Sequence, residues 1–381
     1  MKKIFIFVLT LFLLFYFTNV NAVEMELGAK SAILIDQNTG KVLYNKNENE
    51  RLAPASMTKI MSLILIMEKI DDGTLRFDDK IEISAEASSM GGSQIFLNPG
   101  ESYLVKDLIK GVAMASANDA VVALAEKTYG SKEHFIEAMN KKAEILNLAN
   151  THFSNVHGLD EEGHYSSTYD MSIMARELLK HEQILDFTKV YEEYLTKPDG
   201  SQIWLVNTNK LVRFYDGVDG LKTGYTKNAG YCLTATAKKN NLRLISVVMG
   251  EESIEKRSSD TVKLLNYGFN TFKVNLIKDK NVSLGKIKVQ NGKKSSVDVV
   301  LVNDAIELLN VSDKPSDYQF KLNIDKVTAP VKKGDIIGKV KILDSNGKQI
   351  NEVDITINET ILKANLWDLF KRNLKYNLVW N

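Results

Sequence analysis

Cysteine is nearly absent from this chain, with one residue in 381. A single thiol excludes an internal disulfide framework. In AGYCLTATAKK, Cys232 alternates with polar neighbours as a strand residue does, which predicts a buried structural thiol. Histidine is scarce too: the five residues form no HExxH pattern and no close pair, and no carboxylate cluster has calcium-loop spacing. No metal and no cofactor is expected. Excess charge of either sign is also lacking. Lys and Arg number 49 against 48 for Asp and Glu, and no basic block stands in the body of the chain, which argues against nucleic acid as a partner.

What is present is apolar material for a sizeable core, 44% of the chain, and length enough for more than one domain. The start, MKKIFIFVLTLFLLFYFTNVNA, has two lysines, an apolar run from Ile4 to Phe17 and a polar stretch ending at Ala22. That is the three-part layout of a secretory signal cut after Ala22. An uncleaved anchor is the alternative, although the run is short for a bilayer span. Either way the body of the protein is exported.

SAILIDQNTGKVLYNKN holds two β-type runs around the turn Gln37 to Gly40, a hairpin signature. LAPASMTKIMSLILIME then opens an apolar helical run that Asp71, Asp72 and Gly73 end. VKDLIKGVAMASANDAVVALAEKTYG is helical in period but broken at ASAND, and YDMSIMARELLKHEQILDFTKV reads as a helix. GYCLTATAKKNNLRLISVVMG reads as a hairpin turning at Asn240 and Asn241, and a helix from Ser253 to Asn270 closes the unit. Hairpin, helical middle and returning hairpin predict an α+β unit, a sheet with helices packed on it and a helical insert beside it.

Composition changes near Phe272. SVDVVLV, QFKLNID, GDIIGKVKIL and EVDITI, separated by turn-rich segments, predict a small all-β domain. In the tail, Leu362, Leu366, Trp367, Leu369, Phe370 and Leu374 share one side of a helix, with Asp368, Lys371, Arg372 and Lys375 opposite. A basic amphipathic helix with aromatic residues can lie in a bilayer surface; docking on its own domain is the alternative.

Three short patterns carry chemistry. Ser-x-x-Lys occurs at Ser56, Ser253, Ser283 and Ser345, but only Ser56 follows a proline and roots a long apolar helix, so that Lys59 returns one turn later. A serine hydroxyl needs a base to become a nucleophile, and lysine serves only if burial or a second cation lowers its pKa. Lys222, in the unique triplet Lys222-Thr223-Gly224, is the candidate second cation. On a strand edge the glycine admits a substrate backbone, and the lysine and threonine can grip a carboxylate. Ser116-Ala117-Asn118, also unique, can present a hydroxyl and an amide into a cleft, or cap a helix.

Together, and in this order, Ser56-Met57-Thr58-Lys59, Ser116-Ala117-Asn118 and Lys222-Thr223-Gly224 resemble the S-x-x-K, S-x-N and K-T-G motifs of the penicillin-interacting serine enzymes. LAPASMTKIM, GGSQIFLNPGE, ASANDAVVALAE, NVHGLD, VDGLKTGYT and KLLNYGF resemble the low-molecular-mass penicillin-binding proteins that act as D-alanyl-D-alanine carboxypeptidases. The resemblance covers residues 29 to 275 closely and the rest more loosely.

It implies a beta-lactamase/transpeptidase-like catalytic domain over 23–274, after a signal at 1–22 and before a β-rich domain at 275–357 and a membrane-associating helix at 358–381. Ser56 would attack the carbonyl between the terminal D-alanines of a peptidoglycan stem peptide, with Lys59 as base. Ser116, bridging Lys59 and Lys222, would pass a proton to the leaving amine. Asn118 would orient Lys59 and the substrate amide, while Lys222, Thr223 and Arg257 would hold the terminal carboxylate. Backbone N–H groups of Ser56 and Tyr225 would form the oxyanion hole, at roughly 3 to 4 kcal/mol per donor. Beta-lactams would acylate Ser56, and the outer face of the cytoplasmic membrane would be the second partner. Two alternatives share the motifs: a class A-like beta-lactamase, for which Glu161 and Glu162 lie in the relevant interval, and a penicillin-binding sensor that acylates and stalls.

Overall fold

The computed structural model describes residues 25–368. The expected signal at 1–22 and the tail from residue 369 onward lie outside the described residues. Strands β1 (Ser31–Asp36) and β2 (Val42–Lys46) pair antiparallel through the predicted turn, closed by the Gly40 N–H donating to the Asp36 carbonyl. A tight 3-10 turn, Ala55–Thr58, feeds helix α1 (Lys59–Asp71), buried without a break from Lys59 to Met67. A helix apolar all round belongs in the middle of a core, which is where α1 runs.

Beside it lies the helical insert. Strands β3 (Lys80–Glu82) and β4 (Ser102–Leu104) precede a helical turn, Val105–Lys110, that widens into a π turn over Gly111–Ala115. Helices α2 (Asn118–Tyr129), α3 (Lys132–Ile145) and α4 (Thr168–Leu178) follow. Ser131 and Ser167 start α3 and α4 by accepting hydrogen bonds from the backbone N–H three residues on, as N-caps do.

The run expected as one helix across residues 169–190 is split. After α4 the Lys180 and His181 N–H groups bond back three residues, and His181 leaves helical geometry. Its Nδ1 lies 2.6 Å from Asp71 Oδ2 at the end of α1. A tertiary contact thus ends a helix that periodicity alone would continue, and only short turns, Glu182–Ile184 and Leu185–Thr188, remain.

Strands β5 (Glu192–Thr196) and β6 (Gln202–Val206) make a small hairpin. Strands β7 (Val218–Thr226), β8 (Gly230–Lys239) and β9 (Leu242–Glu251) complete the main sheet, in antiparallel order β2-β1-β9-β8-β7. The β8–β9 turn falls at Asn240 and Asn241, as expected, with Asn240 at φ +52°. Both sheet faces are covered: Ile33 and Ile35 pack on the α1 side, Ala32 and Leu34 on the side of helix α5 (Ile254–Thr271). Ser253 caps α5, so its Ser-x-x-Lys pattern has a structural use; Ser283 likewise bonds Asp298.

Strand β10 (Phe272–Lys278) leaves α5 without a linker. Strands β11 (Gly285–Lys288), β12 (Ser296–Leu301), β13 (Ala305–Asn310), β14 (Gln319–Ile324), β15 (Gly338–Leu343) and β16 (Gln349–Ile357) form the second unit. Its five-stranded sheet runs β11-β12-β16-β15-β14, and β10 pairs with β13 as a ribbon whose Val274 and Leu308 pack beneath α5. The four strands read in the sequence are β12, β14, β15 and β16. The chain stays attached beyond Ile357, because Ile361 is buried opposite Val331 and Lys363 pairs with Gly292. A helical turn begins only at Leu366, started by Asn365 and Asp368 exchanging reciprocal side chain to backbone hydrogen bonds. No described helix is long and apolar enough to cross a membrane.

Candidate active site

Ser56 lies in the 3-10 turn and Lys59 heads α1, so three-residue spacing stacks them on one side. Lys59 Nζ donates to Ser56 Oγ at 3.0 Å, to Asn118 Oδ1 at 2.6 Å and to the His157 carbonyl at 2.8 Å. The lysine is fully buried. Burial foremost, then the charge of Lys222, holds its pKa well below the ordinary lysine value, and Asp119 opposes the shift.

The π turn ends at Ser116, held in the left-handed region at φ +64°, and α2 starts two residues later. Ser116 Oγ is buried and has no hydrogen-bond partner. It does not bridge Lys59 and Lys222 here: the three positions on Lys59 Nζ are taken, and Lys222 Nζ is turned to the Thr223 carbonyl at 3.0 Å. Asn118 is oriented by its neighbours, since Nδ2 donates to the Gly91 carbonyl at 2.7 Å and leaves Oδ1 for Lys59. Next to it, buried Asp119 accepts from the N–H groups of Ile95, Leu97 and Ala120, which satisfy its charge without a cation.

Strand β7 is the free edge of the main sheet and passes the Ser56 turn. A Cβ on Gly224 would stand 2.9 Å from the Pro54 carbonyl oxygen and 3.2 Å from Ser56 N, so only glycine allows this approach without displacement. Lys222 is 1% exposed, and burial together with Arg257 pushes its pKa down to about 7. Thr223 Oγ1 donates to Thr208 Oγ1 at 2.7 Å. Tyr225 is exposed and stacked on Tyr231, ring centroids 4.3 Å apart. Arg257, in the first turn of α5, is buried with Nε unpartnered, and burial lowers its pKa. Three buried basic side chains, Lys59, Lys222 and Arg257, with no carboxylate hydrogen-bonded to them among the described residues, form a site that favours an anion.

In the sequence, NVHGLD, residues 155–160, carries only a resemblance and no chemistry of its own. The structure brings the His157 carbonyl onto Lys59, and Asn155 Oδ1 shapes that loop by accepting from the Gly158 N–H at 2.6 Å. Gly158 has φ +93°, and a Cβ there would lie 1.8 Å from the Ala55 carbonyl oxygen. Thr208 carried no signal in the sequence. Glu161 accepts from Asn155 Nδ2 at 2.8 Å, and neither Glu161 nor Glu162 hydrogen-bonds Ser56 or Lys59. Cys232 is buried opposite Gly224, its thiol pushed up to about 11 by burial, as a structural thiol should be.

Family models match both units of the chain. Residues 18–253 match the family described as D-alanyl-D-alanine carboxypeptidase, and residues 272–363 match the penicillin-binding protein 5 C-terminal domain. D-alanyl-D-alanine carboxypeptidase DacF of Bacillus subtilis is 47% identical over 92% of this chain and 90% of its own length. Penicillin binding protein 5 from Haemophilus influenzae superposes with a TM-score of 0.69 at 31% identity, over 89% of this chain and 99% of that one. Penicillin-binding protein D2 from Listeria monocytogenes, solved in an ampicillin-bound form, reaches 0.58 at 31% identity, over 64% of this chain and 98% of that one.

Proposed function

Because the chain belongs to the D-alanyl-D-alanine carboxypeptidase family, we propose that Ser56, Lys59, Ser116 and the Lys222-Thr223-Gly224 strand carry out that family's reaction. The enzyme is a serine hydrolase that removes the terminal D-alanine from peptidoglycan stem pentapeptides through an acyl-enzyme.

The observation that carries the assignment is the trio of contacts on Lys59 Nζ. A neutral amine has two N–H bonds and one lone pair. Once Lys59 is neutral, Asn118 Oδ1 and the His157 carbonyl, which can only accept, occupy its two N–H bonds, and the 3.0 Å contact in which the charged lysine donates to Ser56 reverses, the lone pair receiving the hydroxyl. Lys59 takes the serine proton, Ser56 Oγ attacks the carbonyl, and the N–H groups of Ser56 and Tyr225 meet the oxyanion. Ser116, whose hydroxyl has no partner of its own, gives its proton to the departing D-alanine amine and takes in its place the one Lys59 holds, which returns Lys59 to the neutral base. Lys222, Thr223 and Arg257 hold the terminal carboxylate, and the incoming anion offsets their mutual repulsion. Water then attacks the ester with Lys59 again as base. Beta-lactams, which carry a carboxylate beside a strained amide, acylate the same Ser56.

With residues 1–22 removed, the enzyme should release D-alanine from a peptide ending in Lys-D-Ala-D-Ala, and Ser56→Ala should abolish release. Release that survives the substitution would overturn the assignment.

Export with a cut after Ala22, and attachment of the tail to the outer face of the cytoplasmic membrane, belong to the same proposal. The exposure of Leu366 and Trp367 as the helical turn starts supports a lipid-facing tail. Deleting residues 365–381 keeps Ile361 and Lys363 in the second unit and should release the mature protein from vesicles; a truncated protein that still sediments fully refutes it.

A further inference from the structure

The β5–β6 hairpin has two unlike faces. Leu195 and Leu205 are buried in the catalytic core on one side, while Tyr194 and Trp204, directly opposite in register, are 59% and 58% exposed on the other. Strand alternation puts Glu192, Thr196 and Gln202 on the same outer face. At the hairpin's end Lys197 Nζ donates to the Phe96 carbonyl at 2.7 Å. Phe96 is 68% exposed and sits at φ +55°, a backbone region that an aromatic residue rarely adopts. Ile95 and Leu97, on either side, give their N–H groups to Asp119 and bury their side chains, which leaves Phe96 facing solvent.

Single exposed aromatics are ordinary on protein surfaces. The segments that carry these three run on into both walls of the catalytic cleft. The chain leaving β6 reaches Thr208, which accepts from Thr223 and gives its N–H to the Met114 carbonyl in the π turn. The Phe96 segment continues from Gly91 and Ser93, whose carbonyls bond Asn118.

We propose that this aromatic ledge binds the sugar to which the stem peptide is attached, so that the enzyme favours glycan-linked stems over free peptide. A pyranose ring offers an apolar C–H face and a rim of hydroxyls. Tyr194, Trp204 and Phe96 suit the first, and Glu192, Thr196 and Gln202 suit the second. The reach fits as well. Thr208 lies four residue steps after Trp204, at most about 14 Å away, and an extended five-residue stem spans about 17 Å, so a stem held by its carboxylate at Thr223 is long enough for its sugar to reach the ledge. The proposal rests on the reading in which Thr223 holds that carboxylate.

D-alanine release would be measured from a free pentapeptide and from the disaccharide-linked pentapeptide. The enzymes are wild type, the double variant Tyr194→Ala/Trp204→Ala, and the double variant Tyr194→Phe/Trp204→Phe. Wild type should favour the glycan-linked substrate by about tenfold in kcat/KM, mostly through KM. The alanine variant should lose that advantage while holding free-peptide turnover within about twofold, and the phenylalanine variant should keep most of it. The proposal falls if wild type shows no preference, or if the alanine variant loses equally on both substrates. It falls too if sedimentation shows a wild-type dimer that the alanine variant abolishes, which would make the ledge a self-association face. Ser56→Ala tests the catalytic reading separately, since release surviving there sinks that reading whatever the ledge does.

Discussion

The catalytic unit and the β-rich unit differ most in what they bury. Among the described residues every buried polar or charged side chain except Thr356 belongs to the first unit, including Lys59, Lys222, Arg257, Asp119 and Asp170. The second unit's core is Val297, Val299, Val340, Ile342, Ile355, Ile357 and similar residues. Burying charge costs stability unless every group is satisfied, and a protein tolerates it where chemistry requires it. Unpartnered Ser116 Oγ and Arg257 Nε lie in the first unit, and no such side-chain atom is found in the described part of the second. The contrast fits the proposed site, and it leaves the described part of the β-rich unit with an apolar core and no reactive constellation of its own.

The largest effect is expected from Lys59→Met. Removing the proposed base should cost about a thousandfold or more in acylation by penicillin, yet the loss of stability should be modest, because methionine fills the space and leaves only Asn118 Oδ1 and the His157 carbonyl without a donor. A marked fall in the first calorimetric transition would mean that the lysine supports the fold. Ile342→Ala is the converse experiment. It should lower the stability of the second unit by about 2 to 5 kcal/mol and leave release from a soluble peptide unchanged. A parallel loss of activity would show that the units are coupled.

Acid should separate the units as well, since all five histidines precede Phe272. Burial holds His157 and His164 down to about 4, and His164 is neutral in a network in which Nδ1 accepts from Ser154 N–H and Nε2 meets Thr58 Oγ1. The unfolded chain takes up a proton at these positions near pH 6.5 and the folded one does not. The stability they contribute is therefore complete above about 6.5 and lost as pH falls toward 4, about 3 kcal/mol for His164. Urea unfolding at pH 7 and pH 4.5 should show the first transition moving and the second moving less. The smallest effect concerns Lys222, at about 7 in the free enzyme. It is charged below that value and neutral above, so kcat/KM for a carboxylate-ended peptide should fall by up to about tenfold per pH unit on the alkaline side. Lys222→Arg should remove that limb; a limb that persists belongs to another group.

Much of the site was legible in the sequence, because its parts are local. Ser56 and Lys59 are three residues apart, and the break at Ser116 and the glycine at 224 are marked by residue type. The His157 carbonyl was not legible, because any residue supplies a carbonyl and only the loop shaped by Asn155 and Gly158 aims it. Thr208 was missed because one threonine in a loop looks like any other until β7 lies beside it. The split after α4 depends on His181 meeting Asp71, a contact that helical periodicity does not contain.

The two units, the order of the three motifs and the residues proposed as nucleophile and base could be read from the sequence, because they rest on spacing and residue type. Tertiary structure alone decided that Lys59 can act as a base. Its proton affinity depends on burial along α1 and on the charge of Lys222 from a distant strand, and both exist only once the main sheet has closed against the helix.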